Sequence, residues 1–181
     1  MPVSEATFLK RALEEPDEQW ELHCGNLRRK PGMTAQHNRT MSRLFGSLLQ
    51  QLDQQEFDVR GNAGHVRRSP EHYYIPDIAV IPVALVEPQL DRRALEVYAD
   101  PLPLVVEIWS PSTGDYDIRE KVVEYQHRGD LEIWRIHPYD RTLTAWRRQT
   151  DGSYTESTYT SGAVHPASLP GVTVDLDALF R

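Results

Sequence analysis

The fold is decided by the stretch PLVVEIWSPSTGDYDIREKVVEYQHRGDLEIWRI, residues 103–136. Its first part is a continuous apolar run, which predicts a strand that is buried on both faces. A turn rich in Ser, Pro and Thr follows. The apolar residues Ile118, Val122 and Tyr125 then recur at helical spacing, and Gly129 marks the end of the predicted helix. The stretch closes with the alternating pattern of a second strand.

One carboxylate, Glu107, lies at the far end of the first apolar run. An ionised carboxylate in apolar surroundings costs several kcal/mol unless a cation, a proton or a metal compensates its charge. The sequence therefore predicts a compensating partner for Glu107.

The composition is that of an ordinary globular protein, with 39% hydrophobic and 26% charged residues. The 181 residues suffice for one domain, 1–181, which would bury about 70% of its unfolded surface without disulfides. The single cysteine, Cys24, has no Cys-x-x-Cys or Cys/His pairing around it, so neither a disulfide framework nor a structural zinc site is supported. We interpret Cys24 as a small buried hydrophobic residue.

Charge and hydropathy restrict the location and partners of the chain. No amino-terminal run has the length of a secretory signal, and no stretch approaches the roughly 18 apolar residues of a membrane span. A cytoplasmic location without membrane contact is expected. The net charge of −7 argues against strong nonspecific binding to nucleic acid. Arginine clusters at 28–29, 67–68, 92–93 and 147–148 still allow local cationic patches, although a solvated surface of mixed charge is favoured.

Periodicity predicts helices at residues 4–15, 34–55 and 115–129, and a short helix at 91–98. The second of these is the strongest: Thr34 is placed to cap it, and His37 lies on its inward-facing apolar stripe. Strands are predicted at 56–60, 63–69, 102–109, 131–136, 142–148 and 153–160, with a hairpin at 18–32 and a closing strand and helical turn at 169–180. A further buried strand is predicted around Asp77, with Ile75 and Ile81 near its ends.

Two predicted buried strands each contain one acid, Asp77 and Glu107, and the helix after the second strand carries Lys121. Carboxylates on neighbouring strands can point to the same side, since adjacent strands lie about 4.8 Å apart. Their repulsion would be relieved by a hard divalent ion such as Mg²⁺, which favours oxygen ligands and keeps several waters. Lys121 could then orient a nucleophilic water or stabilise charge that develops on a phosphate.

At this point the sequence resembles the Uma2 (Uma-two) family of restriction endonucleases, within the restriction-endonuclease-like PD-(D/E)XK superfamily. The motifs that carry the resemblance are WELHCG, His37 at the head of the long helix, IPDIAVIP, PLVVEIWSPST, YDIREKVVEYQHRGDLEIWRIHPYDR and LPGVTVDLDALF. They follow one another in this order over most of the chain.

The resemblance implies a mixed α+β or α/β nuclease core, in which a central mixed sheet is flanked by helices. It also implies Mg²⁺ or Mn²⁺ as cofactor, with Asp77 and Glu107 as metal ligands and the backbone carbonyl of Ile108 as an extra ligand. In the family's E-x-K element a lysine stands two residues after the acid, whereas this sequence has Trp109 there. The resemblance implies that Lys121, on the following helix, takes the place of that lysine.

Each residue also has an interpretation without catalysis. Asp77 could cap a turn, Glu107 could pair with an arginine, and Lys121 could be a solvated helix lysine. His37 is more often a hydrogen-bonded core histidine, and Glu21 is a weak candidate for the acidic site.

Two functions follow: a metal-dependent endonuclease acting on nucleic acid, most readily DNA, or a noncatalytic nuclease-like module that binds nucleic acid or protein. The alternating edge strands that carry Trp134, Trp146, Tyr154 and Tyr159 could also form a homodimer surface.

Overall fold

A computed structural model describes residues 2–181, apart from the side chains of residues 117 and 118. The predicted place of Ile118 on an apolar stripe, and of Asp117 in a first helical turn, therefore lies outside the described residues. The helices are α1 (Glu5–Glu14), α2 (Ala35–Gln51), α3 (Val83–Val86), α4 (Val123–Arg128) and α5 (Leu176–Leu179), with a 3₁₀ turn at Glu87–Gln89 and a π-helical segment at Asp117–Val122.

Strands form a large sheet, a small sheet and a two-stranded ribbon. The large sheet has the order β11 (Tyr154–Tyr159), β10 (Thr142–Arg148), β9 (Glu132–His137), β8 (Leu104–Ile108), β6 (Ile78–Pro82) and β3 (Phe57–Gly61). The small sheet has the order β2 (Asn26–Arg29), β1 (Trp20–His23), β5 (His72–Tyr74), β4 (His65–Ser69) and β7 (Val97–Tyr98), and the ribbon pairs β12 (Ala163–Val164) with β13 (Val174–Asp175).

The large sheet is mixed because β8 and β9 run parallel while its other neighbours are antiparallel. Parallel neighbours need a crossover connection, and the π-helical segment with α4 supplies it. This is the strand, helix and strand that residues 103–136 predict. Gly129 closes the crossover with a φ of +83°, a left-handed conformation that glycine adopts at little cost.

Both faces of the large sheet are covered, which explains the continuous apolar runs in β6 and β8. Ile78 and Val80 face a core that includes Leu44 and Leu48 of α2. Ala79 and Ile81, on the opposite face, pack in a second core with residues of the crossover helix and the small sheet, among them Val122, Tyr125, Val66 and Tyr74. The predicted fold class, a central mixed sheet flanked by helices, is therefore what the structure has.

Side-chain caps begin both long helices, and the predicted Thr34 cap is confirmed. Ser4 caps α1, and Thr34 caps α2 by accepting a hydrogen bond from the His37 amide at 3.2 Å. The cap sets the register of α2, so that His37 and Leu44 are both buried.

Three expectations are wrong in detail. The single strand predicted around Asp77 is two strands, β5 and β6, that belong to different sheets; Pro76 lies in the break, since proline cannot donate a ladder hydrogen bond. Residues 91–98 are not helical, because Val97 and Tyr98 instead pair in parallel with β4. Cys24 is exposed, not buried: it stands with Gly25 in the turn between β1 and β2, and both have positive φ, 48° and 71°.

Among the residues that the structure describes, no helix is both long enough and apolar enough to cross a lipid bilayer.

The small sheet is joined to the crossover by Arg128, whose side chain is fully buried. Its guanidinium donates to the carbonyls of Arg67, Tyr98 and Asp100. Its Nε lies 3.0 Å from Asp130 Oδ2, and Asp130 Oδ1 accepts a hydrogen bond from the Leu102 amide. One cation of the crossover thus satisfies backbone carbonyls of β4, β7 and the loop after β7.

Arg128→Leu should lower the free energy of unfolding by about 3–5 kcal/mol, because it leaves Asp130 buried without its counter-charge. Urea denaturation followed by circular dichroism measures this loss. Arg119→Leu is the matched control: Arg119 is exposed and only 3.8 Å from Asp115 in a solvated pair, so its loss should cost no more than about 1 kcal/mol. Equal losses in the two variants would contradict the role given to Arg128.

Candidate active site

Asp77 lies where the chain passes from the small sheet to the large one, directly before β6, and it is 1% exposed. Its Oδ2 accepts a hydrogen bond from the Ile108 amide at 2.7 Å and lies 3.0 Å from His37 Nε2. Its Oδ1 is 2.8 Å from Lys30 Nζ. Burial raises the pKa of Asp77, but the Lys30 ammonium and the His37 contact outweigh burial and hold the pKa well below its usual value.

Glu107 is also buried, on β8, and its partner is a lysine. Lys121 Nζ lies 2.7 Å from Glu107 Oε1, and the Tyr125 hydroxyl donates a hydrogen bond to the same oxygen. Lys121 is 2% exposed, so it is not a solvated helix lysine. Both partners come from the crossover helix, which packs beside β8.

Glu21 of β1 is the second carboxylate that contacts Lys121, since its Oε1 lies 2.9 Å from Lys121 Nζ. The same oxygen accepts a hydrogen bond from the Ile75 amide at 2.8 Å. The Ile75 carbonyl in turn accepts from Lys30 at 2.8 Å and from Lys121 at 3.2 Å. One peptide group at the break between β5 and β6 therefore positions both lysines.

These side chains open into one pocket of about 250 Å³. Its lining combines the three acids with Lys30 and Lys121 and a rim of basic, polar and aromatic residues; the lining residues are Glu21, Arg28, Arg29, Lys30, Pro31, Met33, Asp77, Glu107, Ser112, Thr113, Tyr116 and Lys121. At the rim the Arg28 guanidinium lies 4.6 Å from the centre of the Tyr116 ring. The base of the pocket therefore carries both carboxylates and ammonium groups, and its mouth carries arginine side chains.

The predicted residues Asp77, Glu107 and Lys121 are brought together in this pocket. Glu21, the weak candidate, is there too, and His37 is a buried histidine that reaches the site through Asp77. Their roles in catalysis stay predictions.

Sequence reasoning missed Lys30, which directly follows the arginine cluster at 28–29. The register of the β1–β2 hairpin indicates where Lys30 lies, because Glu21 pairs directly with Arg28 and their side chains share a face. Side chains two residues apart on a strand share a face, so Lys30 falls on the face of Glu21.

A divalent ion is compatible with these residues. Asp77 Oδ1 is buried, lines the pocket and accepts no aligned hydrogen bond, although Lys30 Nζ is close. At the base of the pocket three carboxylates face two ammonium groups, an excess of one negative charge, whereas Arg28 and Arg29 add positive charge at the mouth. Oxygen ligands and residual negative charge suit Mg²⁺. Within the described residues the three carboxylates do not gather within 4.8 Å of one another, so an ion here would keep water ligands.

Asp77→Asn should remove an acid-sensitive part of the stability. A carboxyl group whose pKa is lowered by folding stabilises the fold above its usual pKa of 3.8, and that contribution is lost as the pH falls toward the lowered pKa. We therefore expect the free energy of unfolding to fall more steeply in the wild type than in the variant between about pH 5 and about pH 3. Urea titrations across this range, with Asp58→Asn as the matched carboxylate-to-amide control, measure the difference. Parallel curves for wild type and Asp77→Asn would contradict it.

Comparisons with known proteins agree with the fold. A family model described as "Uma2: Putative restriction endonuclease" matches residues 6–177. No curated protein sequence matches the chain. A crystal structure described as a "putative nuclease belonging to DUF820" from Anabaena variabilis ATCC 29413 is similar with a TM-score of 0.81 and 18% identity, covering 99% of this chain and 98% of the other. At that identity the likeness concerns the fold.

Proposed function

Since the chain belongs to the Uma2 family, we propose that it is a metal-dependent nuclease that hydrolyses phosphodiester bonds, in DNA, with Asp77 and Glu107 holding Mg²⁺ or Mn²⁺. The observation that carries the proposal is the pocket itself. Two buried acids face it, one directly before β6 and one on β8, and each has a buried lysine within 2.8 Å. A bound divalent ion would supply Lewis-acid stabilisation of the phosphate and a more acidic water.

Lys121 is the residue that we assign to the reacting phosphate. Its ammonium is fixed by Glu21, Glu107 and the Ile75 carbonyl, so little reorganisation is needed when negative charge develops nearby. Preorganised charge of this kind is worth most in a site that excludes bulk water.

Lys30 and His37 act through Asp77 in this proposal. Their contacts keep the carboxylate ionised in a buried position, and the Ile108 amide fixes its orientation. They are positioning residues.

The pocket mouth supports a nucleic-acid substrate. Arg28 and Arg29 are exposed beside it, which gives a cationic edge to a chain whose net charge is −7. Such an edge would attract the phosphate backbone locally without the broad basic surface of a general nucleic-acid-binding protein.

Asp77→Asn and Glu107→Gln should each lower the rate of plasmid nicking in Mg²⁺ or Mn²⁺ by at least about 100-fold, since each removes a charged ligand from the reacting centre. Conversion of supercoiled plasmid to open circles measures the rate. Lys121→Met should behave like them.

Asp58→Asn provides the control: it makes the same carboxylate-to-amide change on β3, outside the pocket lining. It should nick at the wild-type rate. Nicking that persists in EDTA, or that is equal in Asp77→Asn and wild type, would refute the metal-dependent mechanism.

Arg28→Ala should weaken binding to DNA of any sequence and lower the slope of log affinity against log salt by about 1, as expected for one lost phosphate contact. Fluorescence anisotropy with a labelled duplex at several salt concentrations measures both quantities. Arg92→Ala, an exposed arginine outside the pocket lining, should leave them unchanged. An unchanged slope in Arg28→Ala would exclude the pocket mouth as a phosphate contact.

A noncatalytic interaction module is the second candidate, and one observation favours it. Asp77 and Glu107 each already have a cation partner, so the fold answers their charges without a metal. In that case the protein still binds nucleic acid after divalent ions are chelated, and it cleaves no phosphodiester bond in the presence of any divalent ion. A homodimer through the edge of the large sheet stays a prediction.

A further inference from the structure

A second cluster of ligating side chains lies outside the pocket, around the turn between β1 and β2. His23 ends β1, Cys24 stands in the turn, and His72 begins β5 on the neighbouring strand. One ligand atom from each of the three lies within 4.8 Å of the others. Cys24 is exposed, so the cluster is reached from solvent, while both histidines are held at the edge of the core.

Distances within the cluster suit a tetrahedral ion. Cys24 Sγ lies 3.5 Å from His72 Nε2. A tetrahedral zinc ion with bonds of about 2.3 Å to sulfur and about 2.05 Å to nitrogen separates those two atoms by roughly 3.6 Å. The pair is therefore already at the spacing that a shared zinc ion requires.

The histidines are oriented by partners on their other nitrogens, as metal-binding histidines usually are. Ser69 Oγ lies 2.8 Å from His72 Nδ1, which leaves Nε2 facing Cys24. His23 has Tyr74 OH at 2.6 Å from Nδ1 and Glu120 Oε2 at 3.0 Å from Nε2, so either nitrogen can bind an ion while the other keeps a partner.

A carboxylate lies next to the trio, although it does not gather with all three ligand atoms within 4.8 Å. Glu124 of α4 is largely buried, and its Oε1 lies 4.0 Å from His72 Nε2. Arg68 holds the other oxygen of Glu124. Ion binding by Glu124 would therefore need a small approach of its carboxylate from α4 toward the trio.

We propose that His23, Cys24 and His72, with Glu124 as the fourth ligand, form a binding site for a transition-metal dication of the zinc type. Thiolate and imidazole ligands select zinc over Mg²⁺, so this site and the acidic pocket would take different ions. The sequence gives no motif for it, since His72 is 48 residues from Cys24 and reaches it only through the pairing of β1 with β5.

Zinc at this site would connect the elements that carry the pocket. Glu21 lies two residues before His23 on β1, and Lys121 precedes Glu124 by three residues on the crossover. An ion bound by both elements would fix the hairpin against α4 and stabilise the folded state by an amount that rises with the logarithm of the free zinc concentration above the dissociation constant.

Titration of the full chain with Zn²⁺ and with Co²⁺ tests the proposal. We expect one equivalent of Zn²⁺ by calorimetry, a rise in Tm on zinc addition, and a thiolate-to-cobalt absorption band from Co²⁺ bound to Cys24. Cys24→Ser should abolish the band and weaken zinc binding by at least the roughly 10- to 100-fold that even an outer-sphere partner contributes. His72→Gln should also weaken binding.

Two controls separate this site from others. His165→Ala removes an exposed histidine outside the cluster, and this variant should bind zinc as the wild type does. The double variant Asp77→Asn/Glu107→Gln should still bind one equivalent of Zn²⁺ and show the thiolate-to-cobalt band, whether or not nuclease activity is lost. Absence of the thiolate band in the wild type, or equal zinc affinity in wild type and Cys24→Ser, would overturn the proposal.

Discussion

The site depends on the break between β5 and β6, where the chain leaves the small sheet and enters the large one. Pro76 cannot extend either ladder, so the peptide groups around it need other partners. The Ile75 amide and carbonyl find Glu21, Lys30 and Lys121. Because these charged side chains satisfy backbone groups, the fold itself brings them to one place. Asp77 follows immediately, and its carboxylate joins the same network.

Burying so many charges has an energetic cost, which the network offsets by giving each carboxylate at least one cation within ion-pair distance. Glu107 shares Lys121 with Glu21, while Asp77 has Lys30 and His37. In many proteins, replacing such buried ion pairs with well-packed apolar groups leaves the fold equally or more stable. Retention of buried charge in a solvent-accessible pocket is more typical of a functional site than of a structural one, since perturbed carboxyl groups concentrate where chemistry is done.

Local patterns in the sequence predict most of the elements but not the contacts between distant ones. The α2 stripe and its Thr34 cap depend on neighbours within a few residues, and the structure has both. The helix predicted at 91–98 failed because Val97 and Tyr98 pair with a distant strand. His72 was missed for the same reason, because it meets Cys24 only through the pairing of β1 with β5. Lys30 was missed although the local hairpin register places it on the face of Glu21.

The contact between Lys121 and Glu107 is set by positions in space rather than by spacing along one strand. Trp109 occupies the place two residues beyond Glu107, and its ring stacks on His137 with centroids 4.2 Å apart. An ammonium nevertheless reaches the Glu107 carboxylate, because the crossover helix passes beside β8 and directs Lys121 into the pocket. The helix also contributes Tyr125 to the same oxygen. The anion therefore keeps a cation partner although the lysine comes from another element, which leaves Trp109 available for an aromatic contact on the surface beside the site.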